Sequence, residues 1–285
     1  KKLLNQVSKI LLTGSSGFVG SNILESFSKT NICYLIVRKS PGKKIRQNKN
    51  IRIIKFNNYT SLNNKLKKIK VNTVIHGATH YVKNHKHKDI VKLINSNILL
   101  GNIILENLKN MKVKKFINFS TVWEDSNAIA NNPENLYAAY KKGFGSILNF
   151  YKKILPSVSF IELMLTDTFG KNDTRDKIIN TLKKNYLKNK ITKIISKNLY
   201  LNILNIDDVI NAVKIVFENN IESNKFVLKN SIHFKILDLI NDFNRKNKVK
   251  IKIKWLSNKL IKNKIYNYNK LRYWKANKSK ITKKI

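Results

Sequence analysis

A chain of 285 residues with 42% hydrophobic side chains can bury one large α/β domain or two intimate ones. Its net charge of +41 comes with Lys, Asn and Ile enriched together along the whole length, as A/T-rich codons produce, and with no basic stripe or nucleic-acid motif, so no specific nucleic-acid partner is expected. No apolar run approaches the ~20 residues of a membrane span. The opening Lys1-Lys2-Leu3-Leu4 is interrupted by Asn5-Gln6, so no targeting segment is expected. The single cysteine, Cys33, excludes an intramolecular disulfide and suits a reducing cytoplasm.

The first apolar run, Ile10-Leu11-Leu12, feeds Thr13-Gly14-Ser15-Ser16-Gly17-Phe18-Val19-Gly20 and then an amphipathic helix expected over 21–29. A buried strand, three glycines spaced T-G-x-x-G-x-x-G and a helix make up a dinucleotide pyrophosphate site. Gly14 permits the tight turn, Gly17 lets the backbone approach phosphate, and Gly20 lets the helix pack close to the strand. Further apolar runs at 34–37, 51–56, 73–75, 116–119 and 159–165 alternate with helical patterns, including 99–108 and 138–154. That alternation predicts a doubly wound parallel sheet of the α/β class, with ligands at the carboxyl ends of its strands.

At the end of the 116–119 run stand Ser120 and Thr121, and further on Tyr137 and Lys141 form Y-x-x-x-K, one helical turn apart. A Lys ammonium beside a Tyr hydroxyl favours the phenolate, and such a Tyr can exchange a proton with a carbonyl or hydroxyl oxygen. Taken alone, the pair also suits an ordinary helix face; its order behind the Gly-rich turn and the threonine points to chemistry. After the second run, Val37-Arg38-Lys39-Ser40 holds cations where an NAD site places an acid for the ribose 2′-hydroxyl. NADP(H) is therefore expected, with NAD as the alternative. His80, His85 and His87 lack the acidic partners of a metal site and are expected on a surface loop, with no metal.

These motifs resemble the extended short-chain dehydrogenases/reductases, the NAD-dependent epimerase/dehydratase family. The resemblance runs through TGSSGFVG, VIHGAT at 74–79, NILLGNIILE at 97–106, FINFST at 116–121, YAAYK at 137–141, DTFG at 167–170 and LNIDDV at 204–209. The segment around Asn132-Pro133-Glu134-Asn135 and the Trp123 after the threonine are similar to the bacterial 4-ketoreductase branch. The resemblance implies a Rossmann fold (1–165 plus 201–220) with a smaller interleaved C-terminal substrate lobe (166–200 plus 221–285). It implies Thr121, Tyr137 and Lys141 as the catalytic set. Cofactor contacts fall on Gly14, Ser16, Gly17, Phe18, Val19, Gly20, Arg38, Lys39, Asn57, His76, Gly77, Ala78, Asn97, Tyr137, Lys141, Leu165 and Thr166. Substrate contacts fall on Thr79, Ser120, Trp123, Asp167, Lys171, Arg175 and Lys177, the three cations meeting a diphosphate or standing in solvent. His76 suits a structural role as well. Asp207-Asp208 are expected to cap a returning helix, and Tyr273-Trp274-Lys275 with Ile281 resembles the family's tail.

Dehydrating relatives carry Asp-Glu directly after the catalytic threonine; Val122-Trp123 stand there, with Glu124-Asp125 just beyond. The expected reaction is thus NADPH-dependent reduction of a 4-keto-deoxy nucleotide sugar for a surface polysaccharide, in the cytoplasm and by a homodimer. The alternatives are a 4-epimerase with tightly held NAD and a non-catalytic nucleotide-binding module.

Overall fold

The computed structural model describes residues 7–277 apart from 263 and 267. Lys1–Gln6 and Ile281, read above for targeting and for the tail, lie outside the described residues. In chain order come β1 (Lys9–Thr13), α1 (Phe18–Phe27), β2 (Ile32–Val37), α2 (Lys43–Arg46), β3 (Ile51–Lys55), α3 (Tyr59–Leu66) and β4 (Thr73–His76). There follow α4 (Ile90–Ile94), a π-helical turn at Asn95–Leu99, α5 (Leu100–Glu106), α6 (Leu108–Met111), β5 (Lys115–Thr121), α7 (Leu136–Ile154) and β6 (Ser159–Leu165). The remainder is β7 (Asp167–Phe169), α8 (Ile178–Leu187), β8 (Thr192–Ile194), β9 (Leu199–Leu201), β10 (Ile203–Asn205), α9 (Ile206–Glu218) and β11 (Asn224–Leu228). The described part closes with β12 (Phe234–Lys235), α10 (Ile236–Asn247), β13 (Ile253–Trp255) and β14 (Ile261–Lys262).

Seven strands form one sheet in the order β11-β6-β5-β4-β1-β2-β3, every pair parallel. Consecutive apolar residues in these strands serve opposite faces. Ile10 and Leu12 enter a core with α1 and α9, whereas Leu11 enters a second core with α3, α5 and α7. Such two-sided burial explains why the strands read as unbroken apolar runs. Strand order reverses between β1 and β4, and at that point the carboxyl ends leave a crevice for a ligand.

A third core, around Phe169, Ile179, Leu182, Ile236, Leu239, Ile240 and Phe243, holds a smaller lobe with short two- and three-stranded sheets. The boundary expected at 221 needs correction. Asn224–Leu228 pairs with β6 as the edge of the main sheet. The tail also returns, with Leu271 buried in the main core and Trp274 donating its indole N–H to the Asp208 carbonyl at 2.8 Å. The returning helix α9 is capped by Asn205, which accepts from the Asp207 amide at 2.9 Å, while Asp207 and Asp208 occupy its first turn.

Candidate active site

The glycine turn after β1 is shaped by contacts no side chain could make. Gly14 has φ +73°, and a Cβ there would lie 2.3 Å from the Gly77 carbonyl oxygen. A Cβ on Gly20 would lie 2.1 Å from the Gly14 carbonyl oxygen, so α1 rests directly on the turn. Gly17 is the N-cap of α1; the helix start has no side-chain cap and no acidic residue in its first turn. Free amides and the positive end of the dipole therefore face outward, as an anion requires. Thr13 ties this turn to β4. Its hydroxyl accepts from the amides of Gly77 (3.1 Å) and Ala78 (3.0 Å) and gives its proton to His76 Nδ1 (3.0 Å).

Beside the turn opens a cavity of about 530 Å³ between the sheet and the smaller lobe. Thr121, at the end of β5, accepts from the Trp123 amide at 3.3 Å, which leaves its hydroxyl proton for a ligand. Tyr137 stands in the first turn of α7, fixed by the Asn135 cap on the Ala138 amide at 3.0 Å. Lys141 follows one turn later, buried, its Nζ donating to the Phe119 carbonyl at 2.9 Å. All three line the cavity with Gly14, Gly17 and Phe18.

Burial governs their protonation. The Tyr137 phenol is pushed well above its usual value by its surroundings; Thr79 and the Arg175 charge pull back, and Glu124 adds to the rise. Lys141 is lowered to about 8 by burial, against the pull of Glu124 and Glu162. Lys141 is not among the charges that shift Tyr137; burial is the largest cause and raises it. The Lys141 ammonium is engaged with the Phe119 carbonyl, and desolvation favours the neutral form of the Tyr137 phenol.

The two carboxylates beyond Trp123 turn away from the cavity. A single 3₁₀ turn over Val122–Asp125 sends Glu124 inward, where it accepts from the Ser120 hydroxyl and from Lys225 Nζ at 2.6 Å. Burial lifts Glu124 to about 7 despite Lys225. Asp125 accepts from Lys142, Tyr268 and the Asn131 amide. The Ser120 proton is thereby committed to Glu124, which leaves only oxygen lone pairs on this cavity-lining hydroxyl.

The far wall is built from paired cations. Lys177 Nζ lies 2.7 Å from Asp167 and over the rings of Trp123 (4.9 Å) and Tyr81 (5.3 Å), and Tyr81 meets Tyr137 edge-on at 5.2 Å. The Arg175 guanidinium is held by Asp173 at 2.7 Å and stacks on the Phe18 ring at 4.2 Å.

Residues 10–228 match the NAD dependent epimerase/dehydratase family. The chain belongs to that family. CDP-abequose synthase of Yersinia pseudotuberculosis is 28% identical over 206 residues, 72% of this chain and 71% of that protein. The dTDP-D-glucose 4,6-dehydratase of Dictyostelium discoideum is 28% identical over 266 residues, covering 82% of this chain and 61% of that protein. In fold the chain is similar to UDP-N-acetylglucosamine 4-epimerase from Methanobrevibacter ruminantium M1, with a TM-score of 0.83 at 18% identity over 98% of this chain and 96% of the other. As a member of the family it is an enzyme of the short-chain dehydrogenase type.

Within this epimerase/dehydratase fold the expected residues divide. Gly14, Gly17, Phe18, Val19, Gly20, Gly77, Thr79, Ser120, Thr121, Trp123, Tyr137, Lys141, Leu165, Thr166, Asp167, Arg175 and Lys177 line one cavity. His76 is instead fully buried, bonded to Thr13 and packed on Phe116 and Phe144, and stands behind the cavity lining. Asn97, in the π turn, spends its amide on Thr79 (2.6 Å) and the His80 carbonyl (3.0 Å). It too is a positioning residue. The Ala78 amide is taken by Thr13. Ser16 at the glycine turn, Arg38 and Lys39 past β2, and Asn57 past β3 are exposed and outside the cavity, and so is Lys171. Tyr81, Lys83, Phe119, Thr168 and Asp176 also line the cavity and were not anticipated. For Tyr81 a signal existed: it is the first aromatic residue after the block that ends β4.

Proposed function

We propose that the chain is an NADP(H)-dependent reductase of a 4-keto-deoxy nucleotide sugar. The observation that carries the reading is the cavity's acid–base set, in which Tyr137, Thr121 and Lys141 converge beside the glycine turn while Glu124 and Asp125 face elsewhere. Dehydration needs a carboxyl acid and base next to the sugar; neither of these two lines the cavity. The similarity to CDP-abequose synthase supports the same assignment. Arg38 and Lys39, exposed at the end of β2 without an acid, favour a 2′-phosphate and hence NADP(H) over NAD.

A bound nicotinamide supplies the hydride for the keto carbon. The carbonyl electron pair then moves to oxygen, and the neutral Tyr137 hydroxyl gives its proton to that oxygen. Thr121, whose lone pair is taken by the Trp123 amide, donates a hydrogen bond to the same oxygen. Lys141 anchors the end of β5 through the Phe119 carbonyl.

In this reading the product feeds a surface polysaccharide made in the cytoplasm, and the protein pairs as a homodimer. Exposed Val91 and Ile94 on α4 and Phe150 and Ile154 on α7 support such pairing. No helix among the described residues is long and apolar enough to cross a membrane. The test is incubation with NAD and a panel of UDP- and CDP-hexoses. No epimer should form; epimer without net cofactor turnover would replace the reductase by a 4-epimerase.

A further inference from the structure

The Arg175 side chain leaves the far wall and reaches the glycine turn. Its Nε and Nη2 are bonded to the two carboxylate oxygens of Asp173 at 2.7 and 2.9 Å, and Nη2 also donates to the Thr168 carbonyl (2.7 Å) and hydroxyl (3.0 Å). The guanidinium plane lies 4.2 Å from the ring of Phe18, the first residue of α1. Asp173 is itself buried, so the arginine is set in place from behind. Nη1 is the one guanidinium nitrogen without a protein partner among the described residues. The side chain lines the same cavity as Gly14, Gly17 and Phe18.

A cation at the positive end of an uncapped helix is unfavourable unless an anion joins both. Here the helix start has no side-chain cap and no acidic residue in its first turn. An arginine whose rotamer is already fixed loses little entropy on meeting phosphate and offers a planar fork of donors. We propose that Arg175 is a phosphate-binding residue for the dinucleotide, reaching from the substrate-side loop to the pyrophosphate site at the start of α1. This reassigns it from the nucleotide-sugar diphosphate, and it rests on the enzyme reading above. Asp173 and Thr168 are the positioning residues that aim it. Sugar binding and cofactor binding would thereby share one loop, with Lys177 two residues on facing Tyr81 and Trp123.

The test measures binding, not turnover. NADPH and ADP-ribose, which keeps the diphosphate without the nicotinamide, are titrated into wild type, Arg175→Ala, Arg175→Lys and Lys67→Ala (an exposed surface lysine). Arg175→Ala should weaken both ligands about tenfold with a shallower salt dependence, and Arg175→Lys should recover part of the loss. Lys67→Ala should match wild type, and CDP or UDP should bind the NADPH-loaded Arg175→Ala protein as tightly as wild type. Thermal melts confirm that each variant is folded. Unchanged dinucleotide affinity in Arg175→Ala overturns the proposal, as does a loss confined to CDP and UDP. A wild type that binds no dinucleotide removes the enzyme reading itself, a separate result.

Discussion

The two ends of the cavity are built from different materials. The proposed cofactor end is walled by main chain: Gly14 and Gly20 touch carbonyls at distances no Cβ permits, and Thr13 stitches β1 to β4. The proposed substrate end is walled by Lys177, clamped by Asp167 and laid over Trp123, while Arg175, clamped by Asp173, stacks on Phe18 and reaches back to the glycine turn. The first end is fixed by backbone sterics and tolerates almost no substitution. The second is fixed by partly exposed ion pairs and can be retuned residue by residue. Tyr137, the proposed proton donor, stands where they meet.

The largest effect should come at that junction. Tyr137→Phe removes the proton donor and keeps the ring, so turnover should fall on the order of a thousandfold. NADPH affinity should stay within about twofold, read by nicotinamide fluorescence. At the cofactor end, Gly14→Ala forces a methyl to 2.3 Å from the Gly77 oxygen at a left-handed φ. It should cost about 3 kcal/mol of stability and abolish dinucleotide binding, measured by denaturant unfolding and NADPH titration.

Acid should strain the same end. Burial, helped by the Lys141 charge, holds His76 down at about 3 against an ordinary 6.5. A histidine kept neutral in the fold contributes stability that is complete above pH 6.5 and drains away as pH falls toward 3. By pH 4 the loss is on the order of 3 kcal/mol. His76→Gln should unfold with a visibly flatter dependence between pH 6.5 and 4; an identical slope would remove His76 from the account. The smallest effect belongs to the substrate end. The Lys177–Asp167 pair is partly exposed and contributes little to stability, about 1 kcal/mol or less. Lys177→Ala should leave the melting temperature almost unmoved and the NADPH Kd unchanged, while raising the KM of the nucleotide sugar severalfold.

The contrast also explains what could be read beforehand. The glycine turn, the apolar strand runs and the Tyr137–Lys141 spacing are local patterns, each set by one period or one backbone conformation, so they were legible. Five strands of the sheet were found within three residues at either end, and β6 at its observed bounds. β11 was assigned to the other lobe because it is five residues long and the strand it pairs with, β6, lies some 60 residues earlier. Adjacency in sequence cannot tell which way a side chain points. His76 Nδ1 and the Asn97 amide border the site, yet are spent on loop geometry. Glu124 and Asp125 follow Val122-Trp123 in sequence, and only the turn at Val122–Asp125 shows that both face inward. Arg175, grouped in the sequence with Lys171 and Lys177 as meeting the substrate diphosphate or standing in solvent, takes its direction from a carboxylate and an aromatic ring in two separate segments.

The most direct test follows one hydride. NADPH carrying deuterium at the transferring position of the nicotinamide is mixed with a 4-keto-6-deoxy nucleotide sugar, and the sugar product is analysed by mass spectrometry and NMR. The account predicts one deuterium at carbon 4 for each NADPH oxidised. Product without label, or an isomerised sugar with no NADPH consumed, would contradict it.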